Sequence, residues 1–235
     1  MSVYDLNLIR EDQVFQGCIC LENLALPELI ARRQEYLSGP ELARYDQIPV
    51  DRRRFTFLCG RFAAKKALCR MRPSLDPASF HIAEGVFGQP ILPSADLHGL
   101  QVGISHTDQT AVGLAFFEAH PMGIDIESIR EDRDGAIQSQ MTEREMNLHR
   151  SLPCPESAAY TLLWTVKESL SKVLKCGLMT PFSVLEIDQI DATHATWVAT
   201  FRNFPQYKTM SRIWRDEVLS ITLPKRTALN LDIPV

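Results

Sequence analysis

The 235-residue chain lacks the marks of a disulfide scaffold, a zinc module, a membrane span or a nucleic-acid binder. Its six cysteines, Cys18, Cys20, Cys59, Cys69, Cys154 and Cys176, form no C-x-x-C pair and no Cys/His metal spacing. Zinc ribbons and thioredoxin-type redox motifs are thereby excluded. The cysteine count is even, but the chain length and an N-terminus without an apolar leader argue against a stapled secreted fold. Cys59 and Cys69 fall in a helical pattern and read as small core residues. No apolar run approaches the roughly 20 residues of a membrane helix. Basic residues are not in excess either: 25 Lys and Arg face 29 Asp and Glu, a formal net charge of −4. General nucleic-acid binding needs a basic domain, so it is not expected. These absences point to a reduced, soluble, cytoplasmic protein that neither enters a membrane nor binds nucleic acid.

What is present suits a packed globular chain. Hydrophobic residues make up 45% and charged residues 23%, enough apolar material for one large domain or two small ones. The pattern predicts a strand over 3–9, a polar helix over 28–37, a break at Ser38-Gly39-Pro40, and a short helix over 41–46. A long basic helix follows over 51–71, stopped by Pro73. Strands are expected at 80–87, 101–106, 110–117 and 122–128, then a charged loop from Arg130 to Gly135. Thr142-Glu143-Arg144-Glu145 has capping-box spacing. A second long helix starts after Pro155 and ends near Gly177, and strands at 183–190, 195–202, 207–214 and 217–223 complete the series. An offset of 107 lays Phe57 over Trp164, Arg61 over Glu168 and Lys65 over Lys172, a thin hint of duplication. His81, His98, His120, His149 and His194 receive no functional role.

Three segments carry chemistry. On the second long helix Trp164, Glu168 and Lys172 are spaced i, i+4, i+8 and share a stripe about 40° from Trp164. The apolar set Leu162, Leu163, Val166, Leu170, Val173 and Leu174 centres at about 220°, so core and working faces are expected to point apart. In Pro121-Met122-Gly123-Ile124-Asp125-Ile126-Glu127, strand periodicity places Asp125 and Glu127 on one face and the isoleucines on the other. Two adjacent carboxylates repel unless water or a cation separates them. With Glu168 they make three hard oxygen donors, a set that suits Mg²⁺. The third segment, Ser105-His106-Thr107-Asp108, leaves a strand at a polar turn and offers hydrogen-bond donors to an anion. Gly85 to Pro90 reads as a turn beside it.

In order, GQP (88–90), ISHT (104–107), GIDIE (123–127) and WTVKESLSK (164–172) resemble the signature of Sfp-type 4′-phosphopantetheinyl transferases: G-K-P, S-H-S, G-[ILV]-D-[ILV]-E and W-x-x-K-E-[AS]-x-x-x-K. The likeness spans about residues 40–190. It implies transfer of the 4′-phosphopantetheine arm of coenzyme A to a serine hydroxyl of an apo acyl or peptidyl carrier protein. The by-product is adenosine 3′,5′-bisphosphate and the metal is Mg²⁺, with Mn²⁺ as a substitute. Asp125 and Glu168 match the family's metal ligands, and Glu127 the third acid near the metal. Lys172 matches the lysine that faces the departing phosphate. Ser105 and His106 match residues that hold the coenzyme's phosphates, while Trp164 and Lys167 match motif positions without an assigned chemical role. Glu168, Glu127 or a metal-bound water is left as the acceptor of the serine proton.

The likeness also implies an α+β fold of two similar subdomains related by pseudo-twofold symmetry. Their expected limits are 1–117, with the coenzyme-binding basic helix, and 118–235, with the metal ligands, and the active site is expected at their interface. A complete site within one chain favours a monomer. Two positions depart from the family pattern. Gln89 replaces the G-K-P lysine beside Pro90 and removes a cation near the nucleotide; Thr107 replaces a serine and keeps a hydroxyl. Arg54, Arg61, Lys65 and Arg72 fall within about 40° on the basic helix, a stripe able to face a 3′-phosphate. Arg52, Arg44 and Arg61 are the expected coenzyme contacts. A metal-dependent phosphodiesterase and a non-enzymatic carrier-binding module are the alternatives; coenzyme consumption without an acceptor separates the first from a transferase.

Overall fold

The computed structural model describes residues 2–23, 25–193 and 196–229. The chain divides after His120 into two compact units, the first also taking Ala228, whose backbone bonds to Ile9. The fold is α+β.

The first unit opens with a hairpin of β1 (Ser2–Arg10) and β2 (Gln13–Glu22), followed by α1 (Leu26–Tyr36), α2 (Gly39–Asp46) and α3 (Asp51–Met71). A small hairpin, β3 (Ala83–Glu84) and β4 (Pro90–Ile91), precedes β5 (Leu100–His106) and β6 (Ala111–Phe117). The antiparallel sheet has the order β1-β2-β6-β5, and α3 packs on β2, β5 and β6. A Cβ at Gly113 would lie 2.3 Å from the Ala63 backbone, so glycine there is what lets α3 approach the sheet. The core gathers Leu58, Phe62, Leu68, Cys18, Cys20 and Val102. Burial pushes the Cys18, Cys20 and Cys59 thiols up to about 12, so these cysteines are packing groups rather than nucleophiles.

Two sequence expectations change here. The hairpin partner β2 was not anticipated, because residues 17–22 are buried without interruption and give no alternating pattern. The strand expected at 80–87 shrinks to Ala83–Glu84, since Gly85 and Gly88 (φ 78°) turn the chain.

In the second unit β7 (Gly123–Ser128) leads into a 3₁₀ turn (Glu131–Arg133), α4 (Asp134–Gln138), α5 (Glu143–Ser151) and α6 (Glu156–Leu174). The charged segment expected as a loop is thus largely helical. Strands β8 (Ile187–Thr193), β9 (Thr196–Phe201), β10 (Tyr207–Trp214) and β11 (Glu217–Pro224) follow, and the sheet runs β7-β11-β10-β9-β8, all antiparallel. Helix α6 lies across β7, β10 and β11.

Each unit contains the same buried device. In the first, Glu41 caps the start of α2 by accepting from the Ser38 N–H at 3.0 Å, accepts from the Ile82 N–H at 3.0 Å, and accepts a hydrogen bond from the fully buried Lys65 Nζ. In the second, Glu145 accepts from the Thr142 N–H at 2.8 Å, from the Ile187 N–H at 3.0 Å, and from the fully buried Lys167 Nζ at 2.8 Å. Both lysines sit over a phenylalanine ring, Phe80 and Phe182. Each carboxylate therefore joins a short helix, a following segment and the long helix. The equivalence pairs Lys65 with Lys167, an offset of 102 instead of the expected 107; the earlier register aligned surface and buried lysines that the fold keeps distinct.

Candidate active site

Strand β7 and helix α6 bring the acidic residues together. Gly123 makes this possible, since a Cβ there would stand 2.1 Å from the Ser169 carbonyl oxygen. With the helix so close, Asp125 lies in reach of the α6 side chains: Lys172 Nζ donates to Asp125 Oδ1 at 2.7 Å. Asp125 is buried. Burial pushes the Glu168 carboxyl up to about 7, helped by the Asp125 and Glu127 carboxylates and opposed by the Lys172 ammonium. Glu127 is also raised, first by burial and then by Asp125, while Arg133 pulls the other way. Arg133 forms an ion pair with Glu127, a partner that sequence reasoning missed inside the supposed loop. The three carboxylates thus share one electrostatic environment, with Lys172 and Arg133 as their cationic partners.

Helix α6 does not split into a core side and a solvated working side. Thr165 and Ser169, close to Glu168 and Lys172 on the wheel, are fully buried and bond to the hydroxyls of Ser220 and Thr222 on β11. The working face lies on the sheet, and Trp164, Glu168 and Lys172 at its edge remain partly open. Trp164 stacks on Phe182 with centroids 4.7 Å apart, a packing role. Lys167 is held by Glu145 and by the Gln140 carbonyl, so it supports the helix and is not a ligand contact.

Hard oxygen donors that repel one another suit a divalent cation such as Mg²⁺, and the raised Glu168 carboxyl marks charge that such an ion would relieve. Among the described residues no three His, Cys, Asp or Glu side chains stand close enough together to hold a metal ion. The donor chemistry of Asp125, Glu127 and Glu168 fits a hard cation, but the three carboxylates are not gathered into a cage.

In the first unit the expected coenzyme residues fall into two groups, one around Phe57 of α3 and one near the start of that helix. Arg44 and Arg61 lie over the Phe57 ring at 5.9 and 4.9 Å; Arg44 pairs with Glu84 at 2.6 Å, and Arg61 donates to the Ile82 carbonyl at 3.2 Å. Glu84 pairs with Pro90 across the small hairpin, which places Gln89 and Pro90 in this group. Gln89 Oε1 accepts from the Phe87 N–H at 3.0 Å and closes the turn. Arg52 bonds Asp108 at 3.1 Å, beside the turn after Ser105 and His106. Nine helical residues separate Arg52 from Arg61, about 13 Å along α3. Ser105 is buried and His106 exposed. Thr107 Oγ1 accepts from the Gln109 and Thr110 N–H groups at 3.1 and 2.9 Å, tying off that turn. The stripe Arg54, Arg61, Lys65 and Arg72 is not presented as a unit, because Lys65 is fully buried on Glu41 and Arg54 donates to the Ile48 carbonyl.

Residues 121–221, which contain β7, α6 and β11, match the family model of the 4′-phosphopantetheinyl transferase superfamily. The match covers less than half of the 235-residue chain. Among solved structures the chain is similar to a holo-(acyl-carrier-protein) synthase from Bacillus anthracis in complex with coenzyme A, at 19% identity and a TM-score of 0.37, over 48% of this chain and 97% of that one. No curated protein sequence matches the chain. No described helix is long and apolar enough to cross a membrane.

Proposed function

We propose that the chain is an Sfp-type, Mg²⁺-dependent enzyme that moves the 4′-phosphopantetheine arm of coenzyme A to a serine hydroxyl of an apo acyl or peptidyl carrier protein. Adenosine 3′,5′-bisphosphate leaves. The observation that carries this reading is the meeting of Asp125, Glu127, Glu168 and Lys172 where α6 crosses β7, within the residues that match the superfamily. Asp125, Glu127 and Glu168 would hold the metal, which supplies charge neutralisation at the diphosphate; Mn²⁺ is an acceptable substitute. Lys172 turns its ammonium to the phosphate that departs, and charge developing there is stabilised without covalent help from the protein. Glu168 or Glu127 would accept the serine proton.

The coenzyme contacts in this reading are Ser105 and His106 at the phosphates, and Arg44, Arg52, Arg61 and Pro90 at the nucleotide, with Gln89 shaping the hairpin. They lie in the first unit and the metal ligands in the second. Both sets of residues belong to one chain, which would act as a cytoplasmic monomer. Intact-protein mass spectrometry tests the reading. Incubating apo carrier proteins with the chain, coenzyme A and Mg²⁺ is expected to add one phosphopantetheine arm. The gain should vanish when the acceptor serine becomes alanine and in Asp125→Ala. Coenzyme consumption without any carrier gain would instead identify a phosphodiesterase.

A further inference from the structure

Six hydroxyl groups, all fully buried, run through the contact between α6 and the second sheet: Thr165 and Ser169 on the helix, Ser220 and Thr222 on β11, Ser211 and Thr209 on β10. Their protons have one consistent assignment. Thr165 Oγ1 donates to the Leu162 carbonyl at 3.1 Å and accepts from Ser220 Oγ at 2.8 Å, so Ser220 in turn accepts from Ser211 at 2.7 Å. Ser169 Oγ donates to the Val166 carbonyl at 2.9 Å, which leaves it to accept from Thr222 at 2.7 Å and Thr222 from Thr209 at 2.6 Å. Two parallel rows result, each running from β10 through β11 to a helix carbonyl.

Apolar contact is non-directional and lets a helix slide or roll on a sheet; hydrogen bonds weaken steeply when misaligned. Rows of buried hydroxyls therefore specify one height and one rotation for α6. Their placement matters, since Ser220 pairs with Asp125 across β7–β11 and Thr222 with Gly123. On the helix Glu168 lies between Thr165 and Ser169, and Lys172 one turn beyond Ser169.

We propose that these two hydroxyl rows act as positioning residues, fixing α6 over β7 so that Glu168 and Lys172 meet Asp125 in the geometry needed for the metal and the departing phosphate. This rests on the transferase reading above. Packing alone would tolerate apolar replacements in the rows; positioning would not.

The test removes the first row without orphaning a buried donor, using the triple variant Thr165→Val, Ser211→Ala, Ser220→Ala. With coenzyme A present, Mn²⁺ binding followed by electron paramagnetic resonance should weaken about tenfold or more, as for other groups that orient metal ligands. Transfer kcat should fall by a similar factor while the coenzyme KM stays within about twofold, and the melting midpoint should remain cooperative. Thr165→Ser, which keeps the hydroxyl, should bind Mn²⁺ like the parent, and Thr165→Val should not. That pair decides the matter even if the triple variant fails to fold. Parental Mn²⁺ binding and kcat in Thr165→Val would overturn the proposal. Asp125→Ala separates the two levels: if it loses Mn²⁺ binding and transfer while the row variants keep both, positioning alone falls; if it keeps both, the transferase site falls and positioning with it.

Discussion

Glu168 and Arg52 illustrate how burial decides what a single side chain reports. A carboxyl whose folded pKa is raised from 4.5 to about 7 holds its proton more tightly in the folded chain than in the unfolded one. The linked stability is complete below about pH 4.5 and is lost as pH rises to about 7. The metal-free chain should therefore show a falling melting midpoint across that window, Glu168→Gln should flatten the fall, and Mg²⁺ should oppose it. An unchanged slope in Glu168→Gln would show that other groups carry the pH dependence. Arg52 is the opposite case. Its side chain is 77% exposed and its partner Asp108 62% exposed, a pair worth about 0–1 kcal/mol to stability. Arg52→Ala should leave the melting curve in place yet raise the KM for coenzyme A more than that for 3′-dephospho-coenzyme A. Equal effects on the two would remove Arg52 from the 3′-phosphate. Arg61, buried on Glu41, cannot give so clean a readout.

Helices and strands were legible to the extent that their signal lay in hydropathy period or in Pro and Gly. Helix α3 matches the expected 51–71, and β10 the expected 207–214. What escaped was polar burial. Thr165 and Ser169 count as polar on a wheel, so the wheel turned the working face of α6 outward, whereas paired hydroxyls let that face lie on the sheet. Lys65 looked like a surface cation for the same reason, and Lys167 carried no assigned role. The spacing Ser38…Glu41 and Thr142…Glu145 was the available signal, but a capping glutamate does not reveal that its carboxylate also receives a buried lysine. The candidate acids on β7 and α6 were visible because strand and helix periods aligned them; Arg133 on Glu127 was not, since nothing in the charged run marks a helical turn. At this scale the Glu145–Lys167 pair makes a firm prediction. Lys167→Met leaves a fully buried carboxylate without its cation and should cost about 3–5 kcal/mol in chemical denaturation, while pairing it with Glu145→Gln should recover much of the loss. Recovery that fails, or a single variant as stable as the parent, would mean that the carboxylate finds another partner.

Across the whole molecule the same construction occurs twice: a long helix on an antiparallel sheet, pinned by a buried lysine to a capping glutamate. The copies have diverged in what surrounds the pin. Around α3 lie Arg44, Arg52 and Arg61, and around α6 the acids Asp125, Glu127 and Glu168. All three tryptophans, Trp164, Trp197 and Trp214, belong to the second unit, so intrinsic indole fluorescence follows that unit alone. This gives a direct check on which unit coenzyme A engages. Coenzyme A with Mg²⁺ at about 100 times its Kd should stabilise the native chain by about 2.7 kcal/mol, moving the melting midpoint by roughly 5–10 °C for a chain of this size. The fluorescence midpoint should share that shift. Arg52→Ala and Arg44→Ala, both in the first unit, should shrink the shift at fixed coenzyme concentration although neither carries a tryptophan nearby in sequence. If both variants shift the fluorescence midpoint as far as the parent does, the coenzyme is held by the second unit alone, and the arginines of α2 and α3 serve some other purpose.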